Sequence, residues 1–566
     1  MKRNFRVSAV AALSVLALGL GACSNTGTDG SSSSEKGGAA VEIKLSGDYN
    51  PLERDQIKDG GELTLPLDEF SEQQNRFHGN ATRMSTDLWK WYNPQVTLMD
   101  GDGTWHANPD YLVETKDEVV DGKLVLTWKI HPDAVFNDGT PIDWTAFETT
   151  WKMNNGSNEE VVPNGTDGYE LIESVAKGAN DKEVVITFQG TYPWWQGLFG
   201  YVLHPAVSDA KTFNEAYLNK LLPEWGAGPF TVDTYDAKNG TVTFVPNDKW
   251  WGDKPKLDKV HYRYMEDQAM INAFQAGEID AAGVGNKDNL AKAKAMGDKI
   301  EIRGALQPAN SLLTLNGQAP ILSDIKVREA ILTGFDRSQI AAIRFNGLDY
   351  EEKLPGSFTF YQTQEGYEDN LGQVLSYDPE KAKKLLDEAG WTEGSDGVRE
   401  KDGEKLSLRY TVVGDSPLLK GMASATQKML KDIGVEVKVE ERPSSDFSKI
   451  TTEKDFDLFP MGFSSSDPFG AAYFGQTWLS DSELNKSGTG TPELDEKIRA
   501  LQKLPTAEEQ IAEANKLEKE AFARFGIVPI YNGPQLVGVK KGLANFGAHS
   551  FATLPREDIG WAKDAS

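Results

Sequence analysis

Between residues 376 and 391 (SYDPEKAKKLLDEAGW), Ala382, Leu385, Leu386 and Ala389 recur at the i, i+3, i+4, i+7 spacing of one helix face. Asp378 stands where an N-cap accepts backbone N–H groups, Pro379 takes the first helical position, and Gly390 ends the run with Trp391 free to fold back. In ASATQKMLKDIGVEVKVEE (423–441) the period changes at Gly434: a helix closes there, and Val435, Val437 and Val439 alternate as a strand. Between these two stretches, SDGVREKDGEKLSLRYTVVG reads as a turn and a strand. Upstream, KLVLTWKI and EVVITFQG alternate as strands, and VPNDKWWGDKPKLDKVHYRYM runs from a capped turn into a strand with Val260, Tyr262 and Tyr264 on one face. DQAMINAFQAGEIDAAG predicts a helix capped at Gly277 and a further strand. Strands and helices therefore alternate in two separate regions, the signature of an α/β protein with more than one lobe. Self-similarity at solenoid spacing is absent from the sequence.

The pattern is different at the start of the chain. Met1 to Arg6 are basic, Val7 to Leu20 are apolar or small, and the run falls short of the ~20 residues that a membrane-spanning helix needs. That order is the order of an export signal. Leu20-Gly21-Ala22-Cys23 resembles a bacterial lipobox, which implies that residues 1–22 are a lipoprotein signal peptide and that the thiol of Cys23 carries a diacylglycerol. Cys23 is the sole cysteine of 566 residues, so it has no disulfide partner in the chain. A chance small-residue boundary in an ordinary secreted protein is the plainer alternative. Ser24 to Ala40 hold no aromatic residue and no hydrophobic period, and residues 23–45 are expected to form a flexible tether.

Charge and missing motifs narrow the function. Lys plus Arg number 59 against 86 Asp plus Glu, a net charge of −27, which disfavours nucleic acid as a partner and suits a soluble surface protein. The six histidines are scattered without HxxxH spacing, so no zinc site is expected; a phosphate-binding GxxxxGK[ST] loop and a GxSxG nucleophile elbow are both lacking. Asp100-Gly-Asp102-Gly-Thr104 begins like a calcium loop, but Trp105 stands where glycine is needed, and the stretch reads as a surface turn. No catalytic residue, metal or cofactor is expected, which sets a surface-anchored hydrolase aside as the competing class. An adhesive surface protein is the other.

Six motifs then carry a resemblance. VFNDGTPIDWTAFETTW (135–151), GAGPFTVDTYD (226–236), NDKWWGDKPKLDKVHYRY (247–264), AFQAGEIDAA (273–282), LLTLNGQAPILSDIKVREAILTGFDRSQI (312–340) and YDPEKAKKLLDEAGW (377–391) resemble, in order and style, the family 5 extracellular solute-binding proteins, the oligopeptide- and dipeptide-binding lipoproteins of ABC importers. The motifs themselves are turns and caps: Gly139 tolerates a positive φ, Thr140 stands where it can begin to cap the helix near Trp144, and Asp324 caps a core-facing helix.

The resemblance implies an α/β, bilobed fold of the periplasmic-binding-protein-like type II class with an extra domain inserted in the first lobe. Lobe I would comprise 46–90, 225–310 and 530–566, the insert 91–224, and lobe II 311–529, with crossings near 312–316 and 526–531. It also implies a ligand in the cleft between the lobes, an ABC transporter permease as partner, and a monomer held at the extracytoplasmic face of the membrane by its lipid alone. In peptide-binding relatives an extended ligand pairs with backbone in a loop matched here by FDLFPMGFSSSDPFG (456–470), which places Gly462, Phe463, Ser464 and Ser465 against it. Asp467 is the nearest acid for the ligand's α-amine; as Asp467-Pro468 it is equally a turn starter. Phe70, Trp194, Trp195, Trp225 and Trp478 are candidate aromatic walls, suited to apolar side chains or to sugar rings, so an oligosaccharide is the alternative ligand.

Overall fold

The structure, a computed structural model, describes residues 41–564; Cys23, the signal segment 1–22 and most of the tether lie outside the described residues. A four-stranded sheet is ordered Glu62–Leu67, Lys259–Tyr264, Thr241–Pro246, Phe230–Asp236, with the first pair parallel and the others antiparallel. Val260 is fully buried and Tyr262 nearly so, on the face expected from the alternation. The helix Arg83–Tyr92 packs on this sheet, capped by Thr82, and its Trp91 meets Phe230 edge-on at 5.2 Å between ring centres. Beside it lies a three-stranded antiparallel sheet of Ala281–Gly283, Pro534–Lys540 and Ile300–Leu306.

Between residues 91 and 224 the chain builds its own meander, Leu112–Val120, Lys123–Ile130, Glu183–Phe188 and Ile172–Lys177, backed by the helix Trp144–Asn154. Leu124, Leu126, Trp128 and Ile130 are buried on alternate positions of one strand, as a one-sided antiparallel sheet requires. Asp143, and not Thr140, caps the helix: its carboxylate accepts the Thr145 N–H at 2.9 Å, while Thr140 is tied into the preceding turn by its own N–H to Asp138. Asp100 to Thr104 form a turn closed by Asp100 N–H to Thr104 O at 2.8 Å, in agreement with the sequence reading.

A five-stranded sheet follows, ordered Glu436–Arg442, Ser407–Val413, Leu458–Ser464, Ala309–Leu315, Ile527–Tyr531. The helices Pro417–Lys431 and Pro379–Glu388 close as expected, with Gly434 at φ +88° and Trp391 N–H returning to Leu386 O at 2.9 Å. The crossings differ from expectation. Residues 312–316 and 526–531 are not connectors: Leu312, Leu313 and Leu315 are fully buried in the core of the five-stranded sheet, and 527–531 pair alongside them. The chain instead passes between the sheets at Gln307-Pro308 and at Asn532-Gly533, the residue pairs that separate consecutive strands. Asn532 Nδ2 holds the two passages together through Ala309 O at 2.9 Å and Asn310 Oδ1 at 2.7 Å.

Candidate ligand-binding site

The strand Leu458–Ser464 pairs along its whole length with Ala309–Leu315, Phe463 opposite Asn310 and Met461 opposite Leu312. Just past its end, Ser465 N–H donates to Pro308 O at 2.8 Å, and just before it Asn316 N–H donates to Asp457 O at 2.9 Å. Backbone groups alternate in direction along an antiparallel strand. The odd-numbered residues therefore bond to that neighbour, and the N–H and C=O of Gly462 and Ser464 point the other way. On that other side the strand Ser407–Val413 pairs only at Tyr410 with Leu458. Pro460 explains the stop, because it has no N–H to offer on that edge. Gly462 and Ser464 are exposed there.

Beside this edge lies a recess of about 110 Å³. Phe463 and Phe358 form its aromatic part, edge to face at 5.5 Å, and Tyr361 reaches Ser465 through a hydroxyl pair at 2.9 Å. Asn310, held by its Nδ2 on Phe358 O, and Gln476 supply amides. Every lining side chain is uncharged.

Asp467 does not face this recess. It is 4% exposed, and its carboxylate accepts the Phe469 N–H at 3.0 Å, the Ser466 hydroxyl at 3.0 Å and the Tyr473 hydroxyl at 2.5 Å. Burial raises its pKa above the usual carboxylate range against the pull of these three donors. Its position is that of the turn starter, with its oxygens committed inward.

The aromatic candidates separate in the same way. Trp194 donates its Nε1–H to Gln510 Oε1 at 2.8 Å and leans on Phe469 at 6.1 Å, joining the meander to the helix Ala507–Phe522. Trp195 packs with Trp105 and Trp128, Trp225 stacks on His204 at 5.3 Å, and Phe70 stacks on Tyr235 at 5.4 Å. Trp478 is 2% exposed and sits between Phe358 and Phe522 as core, one layer behind the recess wall. The recess thus gathers Gly462's neighbours Phe463, Ser464 and Ser465; Tyr361, Asn310 and Gln476 join them from segments whose sequence carries no signal of it.

Contacts run from this side of the molecule to the other sheets. Ser444 donates its N–H and hydroxyl to Glu266 at 3.1 and 2.8 Å, Gln476 donates to Asn164 O at 2.7 Å, and Gln502 donates to Asp167 at 2.5 Å. Ser448 reaches Ser71 and Glu69 at 3.2 and 3.3 Å. Burial pushes Glu69 up to about 7, and burial with help from Glu170 pushes Asp167 up to about 7. Among the described residues no group of three or more His, Cys, Asp or Glu is placed to hold a metal ion, and no helix is long and apolar enough to cross a membrane.

Sheets joined by two adjacent strand passages, with a recess at an open strand edge, are the architecture of the bilobed type. The chain matches the family described as bacterial extracellular solute-binding proteins, family 5, over residues 108–485. It is 33% identical over 560 residues to the oligopeptide-binding protein OppA of Mycobacterium tuberculosis, covering 97% of this chain and 93% of that one. Among solved structures it is similar to the periplasmic EDTA-binding protein EppA (TM-score 0.76, 24% identity, 93% of this chain and 100% of that one). It is also similar to Bacillus subtilis AppA in complex with a nonapeptide (TM-score 0.75, 20% identity, 90% and 100%). The chain belongs to the family 5 bacterial extracellular solute-binding proteins, and its fold is their bilobed type II fold.

Proposed function

We propose that this protein is a lipid-anchored receptor that captures an oligopeptide between two lobes and delivers it to an ABC importer, without chemical turnover of its cargo. The observation that carries the reading is the free main-chain edge of Gly462 and Ser464 beside an uncharged recess. An edge of that kind pairs with any extended peptide, because it reads N–H and C=O groups and leaves side chains to the recess. The peptide-binding relative that spans nearly the whole chain supports it. In this reading 46–90, 225–310 and 530–566 form lobe I, 91–224 its insert, and 311–529 lobe II; the Ser444–Glu266 and Gln476–Asn164 contacts belong to the closed arrangement. Cys23 anchors a monomer to the outer face of the membrane. A second reading, an oligosaccharide, draws on the same recess, since its hydroxyls and the Phe463 ring also suit a sugar.

Native mass spectrometry of protein purified without refolding distinguishes them: the expected adducts have peptide masses, and adducts of glycan mass would replace the peptide reading. Backbone N-methylation of a bound peptide at alternate residues should weaken it, while the unpaired positions tolerate the same change.

A further inference from the structure

A second set of groups lies on the opposite wall. The helix Arg83–Tyr92 presents Arg83, Asp87 and Lys90 along one face, and their charges are matched locally: Arg83 bonds Asp68 at 2.8 Å and reaches Asp87 at 3.5 Å, and Lys90 bonds Asp87 at 2.9 Å. Two further guanidinium groups adjoin this row with no carboxylate paired to either among the described residues. Arg76 lies over the Tyr201 ring at 4.0 Å, and Arg556 lies over the Trp91 ring at 5.2 Å. Arg556 Nε is buried with no hydrogen-bond partner. Four cations, Arg76, Arg83, Lys90 and Arg556, thus lie among Asp68, Asp87 and Glu69, in a chain whose net charge is −27.

The row is reachable by water. The Arg83, Asp87 and Lys90 side chains keep 57%, 30% and 26% of their surface accessible. The surplus positive charge is felt locally: burial, and then Arg556 and Arg76, hold Lys90 below the usual lysine range against the pull of Asp87. Burial, with Arg556 and Lys90, pushes His549 down to about 3, so that it adds no charge. The segment that carries Arg556 also touches the recess already described, Phe551 meeting Tyr361 at 6.4 Å, and Glu69 near Arg83 meets Ser448 of the opposite side.

We propose that Arg76 and Arg556, with Lys90 beside them, form an anion subsite on the lobe I wall of the cleft that takes a carboxylate of the bound ligand. The inference rests on the peptide reading for the source of that carboxylate, a C-terminus or an acidic side chain. Two guanidinium groups lying over aromatic rings keep N–H groups for a carboxylate, whose two oxygens accept such a fork in pairs. The neutral recess on lobe II holds main chain, and the charge is read across the cleft.

The test uses the full chain with a random pentapeptide pool prepared in four forms: free or amidated C-terminus, with or without Asp and Glu. Forms bearing any carboxylate should be retained, and the amidated, acid-free form should lose about tenfold or more in affinity. Loss on amidation alone assigns the C-terminus, and loss on removing Asp and Glu assigns the side chain. Arg76→Gln with Arg556→Gln should abolish the discrimination, while Arg556→Lys retains part of it and guards against a folding defect. In parallel, millimolar citrate at constant ionic strength should raise Tm of the unaltered protein and not of the double variant. Equal retention of all four forms, discrimination that survives in the double variant, or a citrate response that the two proteins share overturns the subsite. Failure of every peptide form to bind, with the citrate response intact and confined to the unaltered protein, removes the peptide reading and leaves the subsite standing.

Discussion

The carboxylate of Glu352 accepts the backbone N–H of Asn532 at 2.7 Å, and its second oxygen takes the next N–H, that of Gly533, at 2.9 Å. Glu352 thereby grips the chain where it leaves the five-stranded sheet, at a residue with φ +77° that glycine adopts without strain. The Tyr350 hydroxyl donates to the same carboxylate at 2.9 Å. Replacing Glu352 by Gln keeps its shape but leaves an amide NH₂ facing one of the two backbone donors. Charge-assisted bonds of this kind contribute about 1.5–3 kcal/mol, so exchange of the Asn532 and Gly533 amide hydrogens should accelerate by about tenfold or more. Unchanged exchange at both positions would show that the grip is incidental.

Asp467 should behave as a structural acid. Asp467→Asn is expected to cost about 1–3 kcal/mol of stability, because three donors lose a charged acceptor, and to leave ligand affinity nearly untouched. N-acetylation of a bound peptide should then change affinity by the same factor in both proteins, as independent changes do. Urea unfolding and calorimetric titration read the two effects separately; an acetylation penalty that disappears in the variant would restore the amine anchor.

Asp167 and Glu69 set a pH dependence. Both are pushed up to about 7, against about 4 for such groups in an unfolded chain. The folded state therefore holds more protons between those values, and the contribution of each group to stability is complete at low pH and lost as pH rises through about 7. Asp167→Asn should match the unaltered protein below about pH 4 and exceed it by a growing margin up to about pH 7. Parallel melting curves across that window would contradict the assignment.

Anchoring is checked on the full precursor. Cys23→Ser should abolish labelling by palmitate and leave the protein unprocessed or released into the medium. Persistent labelling of the variant would point to another attachment.

Helix faces and their ends were legible because each is a local pattern: Asp378 with Pro379, Gly277 and Gly434 act within one turn of their own positions. The strand that carries Gly462 and Phe463 was legible for a similar reason, since a motif fixed its register. The aromatic walls were not. Trp478 is surrounded by Phe358 and Phe522, which arrive from distant segments, and the residue type alone does not distinguish a core tryptophan from a cleft one. Arg76 and Arg556 come from opposite ends of the chain and become neighbours only through the fold. The i, i+4, i+7 row of Arg83, Asp87 and Lys90 was a signal in plain sequence. A charged helix face, however, is most often a solvated one.

On the proposed reading of a two-lobed trap, the two passages at Gln307-Pro308 and Asn532-Gly533 also decide how the protein converts small local changes into large ones. Each links a seven- or five-residue strand to another strand with hardly any slack, so both arms are stiff ladders and rotation is concentrated in a handful of peptide units. On that reading the arms act as levers whose fulcrum is two residues wide. Adding length to either link would decouple the arms as surely as removing a ligand contact, and a dye pair placed at the two lever tips would read occupancy as distance, making the receptor a ready frame for an optical sensor of its own cargo.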